Sequence, residues 1–164
     1  MDNAEIFWRR MSSPVGDLGL FADERHLYAV EFLAADDAQL SGSPGDTAVL
    51  IEAERQLAAY FAGRLREFDL PLQPAGSEFQ QAVWQAMRRI PYGQVLTYGE
   101  LAGAVGDRKK ARAVGQAANR NPLAIVIPCH RVIGGNGRLV GYGGGLDKKA
   151  LLLRHEGVDP ARCR

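Results

Sequence analysis

The chain has 164 residues, 46% hydrophobic and 24% charged, and its 20 basic and 19 acidic side chains leave a net charge of +1. That length and mixture suit one domain or two small packed ones and exclude a disordered or fibrous chain; no apolar run spans a bilayer, and the start, with Asp2, Glu5, Arg9 and Arg10, lacks a signal peptide, so a cytoplasmic protein is expected. The balance hides an asymmetry: residues through Ala75 hold 13 acidic and 6 basic side chains and those from Gly76 onward hold 6 and 14, so the second half suits a polyanion or presents a solvated basic face.

Ile6 to Met11, Leu18 to Ala22 and Leu27 to Leu33 are short runs of aromatic and branched residues separated by turn signals at Ser13-Pro14 and Val15-Gly16-Asp17, which predicts a small antiparallel sheet. A loop follows at Ser41-Gly42-Ser43-Pro44-Gly45. Leu50, Ala53, Leu57, Tyr60 and Phe61 then recur at helical spacing and stop before Gly63, so residues 1–75 read as an α+β domain. Pro71 to Gly76 reads as the linker, and a mainly helical second domain is expected over 76–164. Ser77 with Gln80 forms a capping box ahead of a helix whose Phe79, Val83 and Met87 share a face, ending at Pro91-Tyr92-Gly93.

Thr97 and Glu100 form a second capping box, starting a short helix through Leu101 and Ala102 that stops near Gly106. A basic helix follows from about Lys109 to Asn119, making a helix-turn-helix candidate or a plain packing unit. Arg108, Lys109, Lys110, Arg112 and Arg120 surround the small residues Ala111, Ala113, Gly115, Ala117 and Ala118. Apart from Arg112 and Gln116, this helix has few side chains suited to reading base edges. Such a surface fits close approach to the minor groove with phosphates held by Lys and Arg, and equally fits an alanine-rich helix packed on a neighbour. Asn121-Pro122 ends it.

Ile127-Pro128-Cys129-His130-Arg131-Val132 then presents one of two cysteines at the end of an apolar run that reads as a buried strand. Cys163, near the other end of the sequence, offers no structural disulfide. An ordinary thiol is only a few per cent thiolate at neutral pH, so a reactive one needs a base. His130 is adjacent, but in an extended chain it would point away from the sulfur, which calls for a bend or a bridging water. Glu156, at the end of a last helix expected to be capped by Asp147, is the best-placed carboxylate to orient His130. A Cys–His–Glu set of this kind also describes a thiol hydrolase. Gly143 to Lys149 lacks the spacing of a phosphate loop.

Pro128-Cys129-His130-Arg131-Val132, with Asn121-Pro122 upstream, Tyr98 in the first helix of the pair, Arg112 in the second and Leu153-Arg154-His155-Glu156-Gly157 downstream, closely resembles the O6-alkylguanine-DNA alkyltransferases from Ser77 to Gly157. The preceding α+β domain resembles that family's more variable N-terminal domain. The resemblance implies direct-reversal repair: an alkylated guanine is flipped out of double-stranded DNA and its alkyl group passes irreversibly from O6 to Cys129, once per molecule and without a metal or organic cofactor. By matching position it makes Cys129 the nucleophile, His130 a base acting through water, Glu156 its orienting carboxylate, Asn121 the support of the turn and Tyr98 a hydroxyl near the flipped base. Substrate contacts would come from Val132 and from Tyr142, Gly143 and Gly144, where Gly143 replaces a serine of some members. Arg112 would fill the gap in the duplex, with Lys109, Lys110, Ala113, Gly115, Gln116 and Arg120 completing a minor-groove face with little sequence preference, on a monomer. With no cysteine in the first half, the structural zinc of some relatives is not expected. A cysteine-free lesion binder, a helix-turn-helix regulator and a thiol hydrolase are the rival readings, and one alkyl transfer per molecule separates them.

Overall fold

The computed structural model describes residues 5–34, 40, 42–135, 139, 142 and 145–160. The chain divides into two compact units, Met1–Ala75 with Pro122–Ala124, and Gly76–Asn121 with Ile125–Arg164.

In the first unit, β1 (Phe7–Met11), β2 (Leu18–Ala22) and β3 (Leu27–Phe32) form the expected antiparallel run, with β2 central and its Leu18, Leu20 and Ala22 fully buried. The segment expected to be a loop contributes β4 (Ser43–Pro44), which pairs parallel to β1, so the sheet is mixed, in the order β3-β2-β1-β4. Ser43 and Gly45 donate to Ile6 and Trp8 carbonyls while Pro44, which has no N–H, falls between them, as an edge strand permits. Gly42 makes this approach possible: its φ is +95°, and a Cβ there would stand 2.5 Å from the Ile6 carbonyl oxygen. The expected linker is also partly sheet, because Leu27 donates to Pro71 and accepts from Gln73. The same strand, β3, exchanges backbone bonds with Pro122 and Ala124 through Val30.

Helix α1 (Ala48–Phe61) starts at Thr47, whose side chain accepts from the Leu50 N–H, and it packs on the sheet with Leu50, Ala53, Leu57 and Tyr60 buried. Gln56 joins that face because its amide exchanges two hydrogen bonds, each 2.9 Å, with the Asp69 backbone. Burying each of Leu50 and Leu57 contributes roughly 1.5–3 kcal/mol to the unit's stability.

In the second unit, α2 (Glu78–Arg88) and α3 (Tyr98–Val105) both begin with the capping boxes read from the sequence, Ser77–Gln80 and Thr97–Glu100. Gly106 ends α3, Asp107 caps a single 3-10 turn at Arg108–Lys110, and α4 (Ala111–Asn119) follows, completing the helix-turn-helix. Trp84 of α2, 2% exposed, donates its indole N–H to the Ala117 carbonyl at 2.9 Å, fixing α2 against α4. A parallel pair that the sequence reading lacked, β5 (Leu96–Thr97) with β6 (Val132–Ile133), ties the start of α3 to the chain just after the cysteine. Helix α5 (Leu146–His155) has Gly145 at its N-cap with no side-chain cap bond; Asp147, expected to cap it, lies in its first turn, where a carboxylate still favours the helix dipole.

Candidate active site

The approach to Cys129 is not the buried strand expected. Residues 124–127 turn, and Ile125 adopts φ +72° while 1% exposed, a conformation that costs a β-branched residue about 1–3 kcal/mol and persists only where packing dictates it. Pro128 then has φ −82° and ψ 68°, and the Cys129 N–H reaches the Ile127 carbonyl at 2.8 Å, an inverse γ-turn. Cys129–Arg131 forms a 3-10 turn that runs directly into β6. The bend thus replaces the alternation of a strand.

Asn121 closes the turn from outside: its Nδ2 donates to the Ile127 carbonyl at 2.7 Å and to the Cys129 sulfur at 3.3 Å. Cys129 keeps partial exposure, yet its sulfur is enclosed enough that burial pushes the thiol above its ordinary pKa, with the Asn121 amide, the Lys149 charge and the Tyr142 hydroxyl pulling the other way. Tyr98 stands beside it; burial first, and then the Cys129 charge, push its phenol up to about 12. Lys149, fully buried, holds its ammonium 5.9 Å from the centre of the Tyr98 ring.

A second, buried group begins at the next residue in the chain. His130, fully buried, meets Glu156 through Nε2 and Oε2 at 2.7 Å. A carboxylate accepts only, so the proton sits on Nε2 and Nδ1 presents a lone pair; among the described residues no partner reaches that atom. Arg131 straddles the same carboxylate, Nε to Oε1 at 2.7 Å and Nη2 to Oε2 at 3.0 Å, and the Gly93 N–H adds a contact of 3.3 Å. Burial holds the imidazole below its ordinary pKa; Glu156 opposes this, and the Arg131 and Lys149 charges reinforce it.

The structure therefore gathers Asn121, Tyr98 and Tyr142 around the Cys129 sulfur, and the next residue in the chain carries the His130–Glu156 couple. Val132 is buried in its pairing with Leu96, and the Cys129 carbonyl already accepts from the Val132 N–H. Gly143 and Gly144, like Cys163, lie outside the described residues. On α4 and its leading turn, Lys109, Lys110, Arg112, Ala113, Gln116 and Arg120 are all exposed. Gly115 is half-buried, and a Cβ there would reach the Tyr98 ring at an ordinary 3.5 Å, so packing alone does not demand glycine. Sequence reading missed Arg131 and Lys149. Lys149 was findable, since it shares helical phase with the buried Leu152, Leu153 and Glu156.

Among the described residues no three His, Cys, Asp or Glu gather to hold a metal, and no helix is long and apolar enough to cross a membrane. Family models described as 6-O-methylguanine DNA methyltransferase match the chain twice: the ribonuclease-like domain over residues 6–74 and the DNA binding domain over residues 78–158. The methylated-DNA–protein-cysteine methyltransferase of Methanosarcina acetivorans is 48% identical over 93% of this chain and 99% of its own. That of Mycobacterium leprae is 47% identical over 92% of each. The crystal structure of the Mycobacterium tuberculosis O6-methylguanine methyltransferase superposes with a TM-score of 0.84 at 43% identity, covering 96% of this chain and 94% of that one. The Mycobacterium tuberculosis OGT in complex with DNA gives 0.84 and 43%, covering 95% and 96%.

Proposed function

The chain belongs to the 6-O-methylguanine DNA methyltransferase family, and on that premise we propose that its reaction runs on Cys129. It repairs O6-alkylguanine in DNA by direct reversal, moving the alkyl group irreversibly to its own cysteine, one event per molecule. The observation that carries the assignment is the Cys129 sulfur, held by Asn121 and backed by a His130–Glu156 couple whose Nδ1 presents a free lone pair.

The chemistry follows from the two opposed pKa shifts. A thiol pushed up by burial needs a base, and an imidazole held down by burial is neutral and able to serve. His130 Nδ1 takes a proton from a water that takes the thiol proton; the thiolate attacks the alkyl carbon, the carbon–O6 bond breaks, and the electron pair leaves with the guanine. Tyr98, still protonated at neutral pH, donates to the guanine as negative charge develops on it. The product is a thioether, which no group here reverses, and the transfer balances without metal or organic cofactor.

The target base must first leave the stack, which costs a few kcal/mol. The exposed row on α4 supports entry into the minor groove: small residues allow close approach, Lys109, Lys110 and Arg120 hold phosphates, and Arg112 occupies the gap left by the flipped nucleotide. Few side chains there suit base reading, so sequence preference is slight, and one copy suffices for the reaction.

The test is intact-mass and peptide mapping of the protein mixed with a duplex carrying one O6-methylguanine. One methyl on Cys129, reached at one equivalent and then stopping, is expected. Cys129→Ser keeps DNA binding and loses transfer; methyl transfer by that variant overturns the assignment. Arg112→Ala slows repair of duplex far more than reaction with the free O6-alkylated base.

A further inference from the structure

Arg131 is the strongest unexplained feature of the site. It is a buried cation, and every polar nitrogen of its guanidinium is engaged: Nε and Nη2 on Glu156, and Nη1 on the Ile90 carbonyl at 2.7 Å. The guanidinium also lies 5.7 Å from the centre of the Tyr92 ring. So rigid an anchorage holds it in one place against both carboxylate oxygens. One of those oxygens, Oε2, is the atom that His130 Nε2 also meets.

A buried carboxylate facing an imidazole alone draws a second proton onto the ring, forming an ion pair and occupying the nitrogen that must act as base. A carboxylate already balanced by a guanidinium orients the ring without charging it. We propose that Arg131 is a positioning residue for the transfer: by neutralising Glu156 it lets that carboxylate fix His130 while leaving Nδ1 free to take a proton. The groups facing His130 are Glu156 from the end of α5, which favours its protonation, and Arg131 from its own turn with Lys149 from α5, which disfavour it; Cys129 adjoins it in the chain. Lys149 remains when Arg131 is removed, so the change to be read is the loss of one of two opposing charges. The proposal rests on His130 being the base.

The experiment is single-turnover methyl transfer from a duplex carrying O6-methylguanine, with protein in excess, from pH 5.5 to 8.5, for the parent, Arg131→Met and Arg131→Lys, with DNA affinity measured alongside. In Arg131→Met the acid limb of the rate profile moves to higher pH by roughly one unit or more, the size expected when a neighbouring charge is lost, while DNA affinity holds. Arg131→Lys, which keeps the charge and loses the fork, returns the limb toward the parent position at a lower plateau. A limb in Arg131→Met that coincides with the parent's overturns the proposal. If that variant does not fold, nitrogen-15 NMR of labelled histidines in the parent decides: His130 neutral with its proton on Nε2 at pH 6.5 supports the proposal, and an imidazolium there overturns it. His130→Gln separates the two layers, since a parent-like rate and limb in that variant removes the base reading itself.

Discussion

Two of the molecule's arginine–glutamate pairs are of nearly equal length but stand in very different surroundings. In the first unit, Arg9 meets Glu54 at 2.6 Å, with side chains 34% and 30% exposed, and also pairs with Asp46. In the second, Arg131 meets Glu156 at 2.7 Å with 7% and 0% exposed. Water screens the first pair and competes for each partner, so its loss is easily made good. The second pair has no such screening: removing Glu156 strands the buried guanidinium, and removing Arg131 throws the Glu156 charge onto His130. Similar geometry therefore means surface decoration in one unit and a structural and chemical commitment in the other.

The sharpest way to break this contrast is Glu156→Ala. It leaves the Arg131 guanidinium without a counter-charge and His130 without its orienting acceptor, so unfolding in urea is expected to lose about 3–5 kcal/mol and methyl transfer to vanish. Next is Asn121→Ala, which removes one of the two donors to the Ile127 carbonyl and the contact to the sulfur; a stability loss of about 1 kcal/mol is expected, with a transfer rate reduced by more than that loss explains.

Acid separates the units in a graded way. His130 has a folded pKa below its unfolded value of about 6.5, so the unfolded chain binds the proton first, and the second unit loses stability as pH falls below about 6.5. Asp23 in the first unit is lowered on balance: burial raises it, but the Tyr28 hydroxyl and the Arg25 and His26 N–H groups outweigh that. Its contribution stays intact above about pH 4 and is lost only as pH falls further. Hydrogen exchange at pH 7.5, 6 and 5 is expected to show protection declining in α2 to α5 while β1 to β3 hold. The smallest effect is Arg9→Ala, which leaves the unfolding midpoint close to the parent's and the transfer rate unchanged; a large loss there would erase the distinction.

Features set by local chemistry were legible in the sequence. Ser77 with Gln80 and Thr97 with Glu100 mark helix starts because capping is settled within four residues, and Leu50, Ala53, Leu57 and Tyr60 mark a face because helical phase repeats. The two-residue strands Ser43–Pro44, Leu96–Thr97 and Val132–Ile133 left no such trace, since a pair that short has no periodicity and exists only because its partner is there. The turn before Cys129 was misread for a related reason. Pro128 fixes φ but leaves ψ open, and the turn seen at ψ 68° is accompanied by a hydrogen bond to the Ile127 carbonyl from Asn121, which no local pattern announces. Cys129 and His130 enter the proposed site because cysteine and histidine are rare in this chain and chemically loud, and Glu156 because it is the best-placed of the few carboxylates in the second half. Arg131 and Lys149 stand out in the sequence only as charges of a basic half, whereas the structure buries both, one on Glu156 and the other over the Tyr98 ring.

The tryptophans give these differences a colour. The chain has two, and each unit holds one: Trp8, half-buried on β1 with its indole N–H on the Gly42 carbonyl at 3.2 Å, and Trp84, sealed between α2 and α4. Each half of the protein therefore carries its own native fluorophore, in unlike polarity. With Trp8 replaced by phenylalanine, ultraviolet emission becomes a label-free optical gauge of the helix proposed to meet DNA, and of whether α4 keeps its seat when Cys129 acquires an alkyl group.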